Sequence, residues 1–141
     1  MKNKSFLAIA ILLSISAFSQ QTRFYSDPPL VDKFKEAKEY FQKEEYSLAY
    51  PLFKELQQSL RETDKANNPI TAQEINYYSI VCALKQNEGR AEQQAIEYID
   101  LEKNVARTQM MSFHLGEYYF RQQEFAEAAQ QYEQTNIDNL S

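Results

Sequence analysis

Residues 115–132 read LGEYYFRQQEFAEAAQQY, and their spacing decides the fold. Leu115, Gly116, Tyr119 and Phe120 fall at intervals of three and four, as do Phe125, Ala128, Ala129 and Tyr132, which is the periodicity of two amphipathic helices. The polar stretch Gln122-Gln123-Glu124 separates them. Gly116 and Ala128 put one small residue on each helix, so the two backbones can approach closely while flanking aromatics fill the space above and below. A pair of this size does not bury its apolar stripes alone; stacking on further pairs supplies a continuous core.

The same pattern recurs upstream. Ala37, Ala83 and Gly116 are separated by 46 and 33 residues, and Ala49, Ala95 and Ala128 lie twelve residues beyond them with the same separations. Phe53, Ile99 and Tyr132 fall four further on. Three positions holding one register across three units is an internal repeat, which a plain helical bundle has no reason to keep. The 13-residue excess of the first interval falls on residues 59–69 (SLRETDKANNP), the one clear loop. Each unit reads as two helices. The first has stripes through Leu30, Phe34, Ala37, Tyr40 and Phe41, then Leu48, Ala49, Leu52, Phe53, Leu56 and Leu60. In the second, Thr71-Ala72-Gln73-Glu74 is a capping box ahead of Ile75, Tyr78, Val81, Cys82 and Leu84. Asn87 to Arg90 breaks that helix at Gly89, and Ala91, Ala95, Ile96, Ile99 and Leu101 mark the next. The last pair starts after Asn104. Pro51 costs a helix interior about 3 kcal/mol, so the helix around it either starts late, near Ser47, or kinks.

The third unit resembles a tetratricopeptide repeat, with Leu115-Gly116-x-x-Tyr119 and Phe125-x-x-Ala128-x-x-x-Tyr132 matching the family's L-G-x-x-Y and Y-x-x-A-x-x-x-Y. The first unit keeps Tyr40, Tyr46, Ala49 and Phe53 but has Glu36-Ala37 where the family prefers Leu-Gly. In the second, Gln86 and Glu92 replace two aromatics while Ala83, Ala95 and Ile99 remain. The phrase from Tyr46 to Phe53 (YSLAYPLF) is similar to the leading repeat of exported tetratricopeptide proteins of Bacteroidota. The resemblance implies an all-α fold of about three helix-turn-helix pairs (28–58, 71–103 and 106–135), stacked as a short right-handed α-solenoid. It also implies a concave groove lined by the first helix of each pair, binding a peptide or helix of a partner protein. Carried over residue by residue, the groove takes Phe34, Lys38, Phe41 and Gln42 from the first unit and Tyr77, Ile80, Leu84 and Asn87 from the second. The third contributes Met110, Phe113, Glu117, Phe120 and Arg121. Aromatics, methionine and single charges suit apolar anchors of a peptide or helix.

The ends of the chain carry separate signals. Lys2 and Lys4, the apolar run of residues 6–15 (FLAIAILLSI), and Ala17 and Ser19 before Gln20 follow the layout of a secretory signal peptide at residues 1–19. The run is too short to span a bilayer, which takes roughly 20 apolar residues. Residues 20–27 read as loose, with Asp27-Pro28 as a cap and first helical residue. The expected location is the periplasm, or the periplasmic face of the outer membrane, of a Gram-negative bacterium. Residues 136–141 read as an open or truncated end in which Ile137 and Leu140 approach a fourth repeat.

Composition excludes several functions. The 141 residues carry a net charge of −5, with 15 Lys+Arg against 20 Asp+Glu, and a pI near 5.0 argues against nucleic acid as a partner. Only 2 Gly and 4 Pro supply too few turns for a β-sandwich. One His and one Cys do not make a zinc site of the usual type. Cys82 occupies the register position of Leu115 and reads as core, and His114 reads as a packing or surface residue. Glu44, Glu45 and Glu124 sit at helix junctions, where acidic groups favour the helix dipole. No phosphate-binding glycine loop, nucleophile elbow or EF-hand spacing occurs, so the expectation is a non-enzymatic scaffold or adaptor with no cofactor, no metal and no small-molecule substrate. The alternative is a self-assembly module whose exposed ends stack chain on chain, with an unrecognised periplasmic enzyme a distant third.

Overall fold

The structure, a computed structural model, describes residues 28–60, 62–67 and 69–135. The expected signal peptide at 1–19, the loose segment at 20–27 with its Asp27 cap, and the open end at 136–141 lie outside the described residues. Helices follow one another as α1 (Pro28–Gln42), α2 (Tyr46–Ser59), α3 (Glu62–Asn67), α4 (Pro69–Lys85), α5 (Ala91–Leu101), α6 (Val105–Arg121) and α7 (Phe125–Glu133), with no strand among the described residues. Helix α1 packs on α2, α2 on α4, α4 on α5 and α6, α5 on α6, and α6 on α7. Such a chain of near-neighbour contacts is compatible with an α-solenoid.

Local chemistry sets the helix ends. Pro28 and Pro69 open α1 and α4, positions where the missing N–H has no helical partner to lose. Asn104 caps α6 by accepting from the Arg107 backbone N–H at 3.0 Å. Helices α1, α4 and α6 all end in the same way. Glu44, Asn87 and Gln123 take left-handed φ values of 60°, 55° and 66°. The next residue donates its N–H five residues back (Glu45 to Tyr40 at 2.9 Å, Glu88 to Ala83 at 2.9 Å, Glu124 to Tyr119 at 3.0 Å), a Schellman closure. Glycine normally takes this position, yet none of the three is glycine and Gly89 has no positive φ. The break between α4 and α5 is therefore made by Asn87 and Arg90 (φ 71°) rather than by Gly89.

Two expectations on boundaries are corrected. Residues 59–69 are not all loop: Glu62–Asn67 (ETDKAN) forms the short helix α3 against α4, because Glu, Lys and Ala are good helix formers and α4 offers it a surface. Thr71 does not open its helix but lies buried inside the first turn of α4, which Pro69 starts. Pro51 sits within α2, which begins at Tyr46, so the proline falls in the second turn rather than the first.

The core divides in two around α4. Ala37, Ala49, Phe53, Leu56, Leu60, Ile75 and Cys82 form one cluster. Ile80, Val81, Ala83, Leu84, Ala91, Ala95, Tyr98, Met111, Leu115, Tyr119 and Ala128 form the other. Helix α4 supplies both, Ile75 and Cys82 to the first and Ile80, Val81, Ala83 and Leu84 to the second, which is why its stretch YSIVCAL is apolar nearly all round. Of the residues expected to carry packing, Ala37, Ala49, Phe53, Ala83, Ala95, Leu115, Gly116, Tyr119 and Ala128 are buried and Ile99 is half-buried. Gly116 meets the Tyr132 ring so closely that an added Cβ would lie 2.7 Å from Cε1. One expectation fails. Phe125 is 58% exposed, because no further described helix covers the outer side of α7, while Tyr132, 36% exposed, keeps one face of its ring on Gly116 and Phe113. Leu48 and Leu101 are exposed as well, although both belong to apolar stripes. Burial pushes the Cys82 thiol up to about 12, as befits a packed side chain.

Candidate partner-binding groove

Helices α1, α4 and α6 are joined across one side of the molecule by opposite charges. Lys38 donates to Glu74 at 3.0 Å, tying α1 to α4, and its ammonium stands 5.3 Å from the Phe34 ring and 5.4 Å from that of Tyr78. Lys85 donates to Glu117 at 2.7 Å, tying α4 to α6. His114 Nδ1 donates to the same carboxylate at 3.2 Å. That hydrogen bond, opposed by burial and reinforced by Lys85, holds the Glu117 carboxyl down at about 2. Arg121 donates to the Leu84 carbonyl at 2.8 Å. Gln122 donates to Asn87 at 3.0 Å, drawing together the ends of α6 and α4.

The expected groove residues therefore divide into four groups. Lys38, Asn87, Glu117 and Arg121 lie on this side but spend polar atoms on bonds between helices. Phe34, Phe41 and Tyr77 are half-buried in an aromatic cluster. Phe41 meets Tyr78 edge-on with centroids 4.7 Å apart, Phe34 meets Phe53 at 6.3 Å, and Tyr77 leans on Tyr98 at 6.0 Å and His114 at 6.2 Å. Met110 and Phe113 are also half-buried, Phe113 against His114 (5.6 Å) and Tyr132 (6.0 Å). Gln42 is exposed, and Phe120, 57% exposed, stands edge-on to Phe125 at 5.5 Å.

Ile80 and Leu84 are corrections. They are 4% and 0% exposed and lie in the core with Ala95, Tyr98, Met111 and Leu115, so neither opens onto the side formed by α1, α4 and α6. Helices α5 and α6 close over that face of α4. Sequence reasoning missed Glu74, Tyr78 and Lys85, and read His114 only as packing or surface. A signal for one pair was present, since Lys85 and Glu117 carry opposite charges 32 residues apart, close to one repeat.

A second polar junction joins α5 to α6. Glu102 accepts from Tyr98 Oη at 2.9 Å, from the Asn104 backbone N–H at 2.8 Å, and from Arg107 through Nε at 2.9 Å and a terminal nitrogen at 3.2 Å. Burial acts to raise its pKa, but these donors outweigh it and hold the carboxyl at about 2. No group of three or more metal-binding side chains occurs among the described residues, and none of their helices is long and apolar enough to cross a membrane. No protein-family model matches the chain, and neither the curated proteins nor the solved structures yield a match.

Proposed function

We propose that this chain is a tetratricopeptide-like scaffold or adaptor that holds a peptide or helix of a partner protein against the side formed by α1, α4 and α6. The observation that carries the reading is the strip of partly open aromatics on that side. Phe41, Tyr77, Phe113 and Phe120 stand among Lys38, Glu117 and Arg121, charges already fixed by neighbouring helices. Rigid aromatic anchors set among ordered charges are the composition of a binding hot spot. The repeat reading draws support from the common Schellman closure of α1, α4 and α6 and from the buried small residues Ala37, Ala83 and Gly116 at one register. Export is part of the proposal and rests on the pattern of residues 1–19.

Replacing Phe113 and Phe120 together by alanine tests the groove. Partner capture from an envelope extract should fall while far-UV circular dichroism stays helical, and undiminished capture would remove the assignment. One observation favours the self-assembly reading: Phe120, Phe125 and Tyr132 leave an open apolar edge beside α7. Mass growing with concentration in the purified protein would select that reading over the adaptor.

A further inference from the structure

The outer side of α7 is open at positions that a following helix covers in the two earlier pairs. With Ala49, Ala95 and Ala128 in register, Tyr46, Glu92 and Phe125 share one position, Tyr50, Ile96 and Ala129 a second, and Phe53, Ile99 and Tyr132 a third. Phe53 shows what the third position takes when it is complete. Its ring meets Phe34 of its own pair at 6.3 Å, stacks on Tyr78 of the next helix, α4, at 5.3 Å, and is wholly buried. Tyr132 has the first of these contacts, with Phe113 at 6.0 Å, but among the described residues no ring stands in the place of Tyr78. Phe125 and Ala129 are exposed beside it.

The two covering helices share a pattern. Helix α4 brings Tyr78 and Cys82 into the cluster of Ala49 and Phe53, and Met111 and Leu115 hold the same register in α6, sealed with Ala95 and Tyr98. Four residues further on, Gln86 donates to the Tyr46 carbonyl at 3.3 Å and Tyr119 Oη to the Glu92 carboxylate at 2.8 Å, which is one register position on α2 and α5. A covering helix is therefore apolar at i and i+4 and carries a hydrogen-bonding side chain at i+8, all on one face. Helix α1 breaks the pattern where it matters: it keeps Tyr40 at the last position but has Asp32 and Glu36, both exposed, at the first two.

We propose that the open side of α7 receives one amphipathic helix of a partner protein, apolar at i and i+4 with an amide or hydroxyl at i+8, and that Asp32 and Glu36 keep a second copy of this chain off it. A second copy docking through α1 would bury two carboxylates against Phe125 and Tyr132. Helix α7 has no cation to pair them, its charged residues being Glu127 and Glu133, and Arg121 beside Tyr132 already donates to the Leu84 carbonyl. Such a contact is head-to-tail and would grow without closing, so the two acids end a filament before it starts. Glu124, Glu127 and Glu133 are exposed around the open side and complement lysine or arginine at the flanks of the partner's helix. The surface adjoins the α1–α4–α6 strip at Phe120 but does not rest on the groove reading.

The test uses the ¹⁵N-labelled protein and a capped peptide of residues 104–121, which supplies Met111, Leu115 and Tyr119 at the three positions and Arg107 and Arg121 at the flanks. Backbone signals of Phe125, Ala129 and Tyr132 should shift saturably. A peptide with Met111→Asp and Leu115→Glu, or a protein with Phe125→Glu, should bind at least tenfold more weakly. In sedimentation the unaltered protein should keep one mass as concentration rises. Asp32→Met with Glu36→Leu, both at exposed positions, should make the mass grow, and adding Phe125→Glu should abolish the growth. No saturable shift at about 1 mM peptide, the result expected if residues 136–141 take the open side, would overturn the proposal. So would shifts confined to α1 and α4, equal binding of the acidic peptide, or a doubly substituted protein that keeps one mass. Growth of the unaltered protein would overturn it too, in favour of a second copy.

Discussion

Gly116→Ala is the sharpest probe of how closely α6 and α7 approach. The added Cβ would lie 2.7, 2.8 and 3.2 Å from Cε1, Cδ1 and Cζ of Tyr132. Ordinary carbon contacts begin near 3.5 Å, so the ring must retreat by most of an ångström. It is 36% exposed and can swing outward, but it gives up its contact with Phe113 as it does so. Overpacking of this kind costs about 1–3 kcal/mol. Alanine in a helix interior returns about 1 kcal/mol relative to glycine. The net expectation is a loss of about 1 kcal/mol, near 4 °C in Tm for a chain of this size. The same substitution in a Tyr132→Ala background has no ring to meet, so there it should stabilise by about 1 kcal/mol. Urea unfolding followed by circular dichroism, run as a double-mutant cycle, should give a coupling of about 2 kcal/mol. If Gly116→Ala stabilises the unmodified chain by the full helix-propensity gain, the close approach does not dictate the glycine and the reasoning fails.

Three further outcomes follow from particular residues. Gln123→Gly should stabilise by about 0.5–1 kcal/mol, because it relieves a left-handed residue at the end of α6; an equal loss in urea unfolding would mean the Gln123 side chain contributes more than the strain costs. Because the folded pKa of Glu102 is depressed to about 2, its contribution is whole above the ordinary carboxylate pKa and disappears as pH falls from about 5 to 2. Up to about 3 kcal/mol rests on it, and Glu102→Gln should lower Tm at pH 7 and flatten its fall in acid, whereas a parallel acid profile would remove Glu102 as the cause. Ser112 is fully buried with its hydroxyl unpartnered among the described residues, so Ser112→Ala should raise stability by about 1 kcal/mol in the same unfolding assay, and a loss would show that the hydroxyl is satisfied.

Much of the fold was legible because helix periodicity and small-residue spacing are local properties of a chain. Ala37, Ala49, Ala83, Ala95 and Ala128 could be placed in the core from their register alone, and all of them are buried. Cys82 could be placed there too, since it lies in an apolar run. The groove was less legible. Ile80 and Leu84 sit on the same face of their helix as Tyr77, and only the docking of α5 and α6 decides that two of the three are sealed while the third is half-open. Helix α3 was hidden because six residues carry too little periodic signal to stand against a loop rich in Asn and Asp.

The sequence by itself determined the helical class and the placing of small residues on apolar stripes, because each depends on neighbours three or four positions away. Tertiary structure decided which polar side chains meet. Lys38 with Glu74, Lys85 with Glu117 and Gln57 with Asn76 are 36, 32 and 19 residues apart, and no local pattern selects those partners from the many charged and amide side chains available. It also decided that Phe120, Phe125 and Leu101 stay open while Leu84 and Met111 are sealed, although all five read as equally apolar. Burial belongs to the packing of helices against one another, since a stripe marks a face for covering but only a second helix covers it.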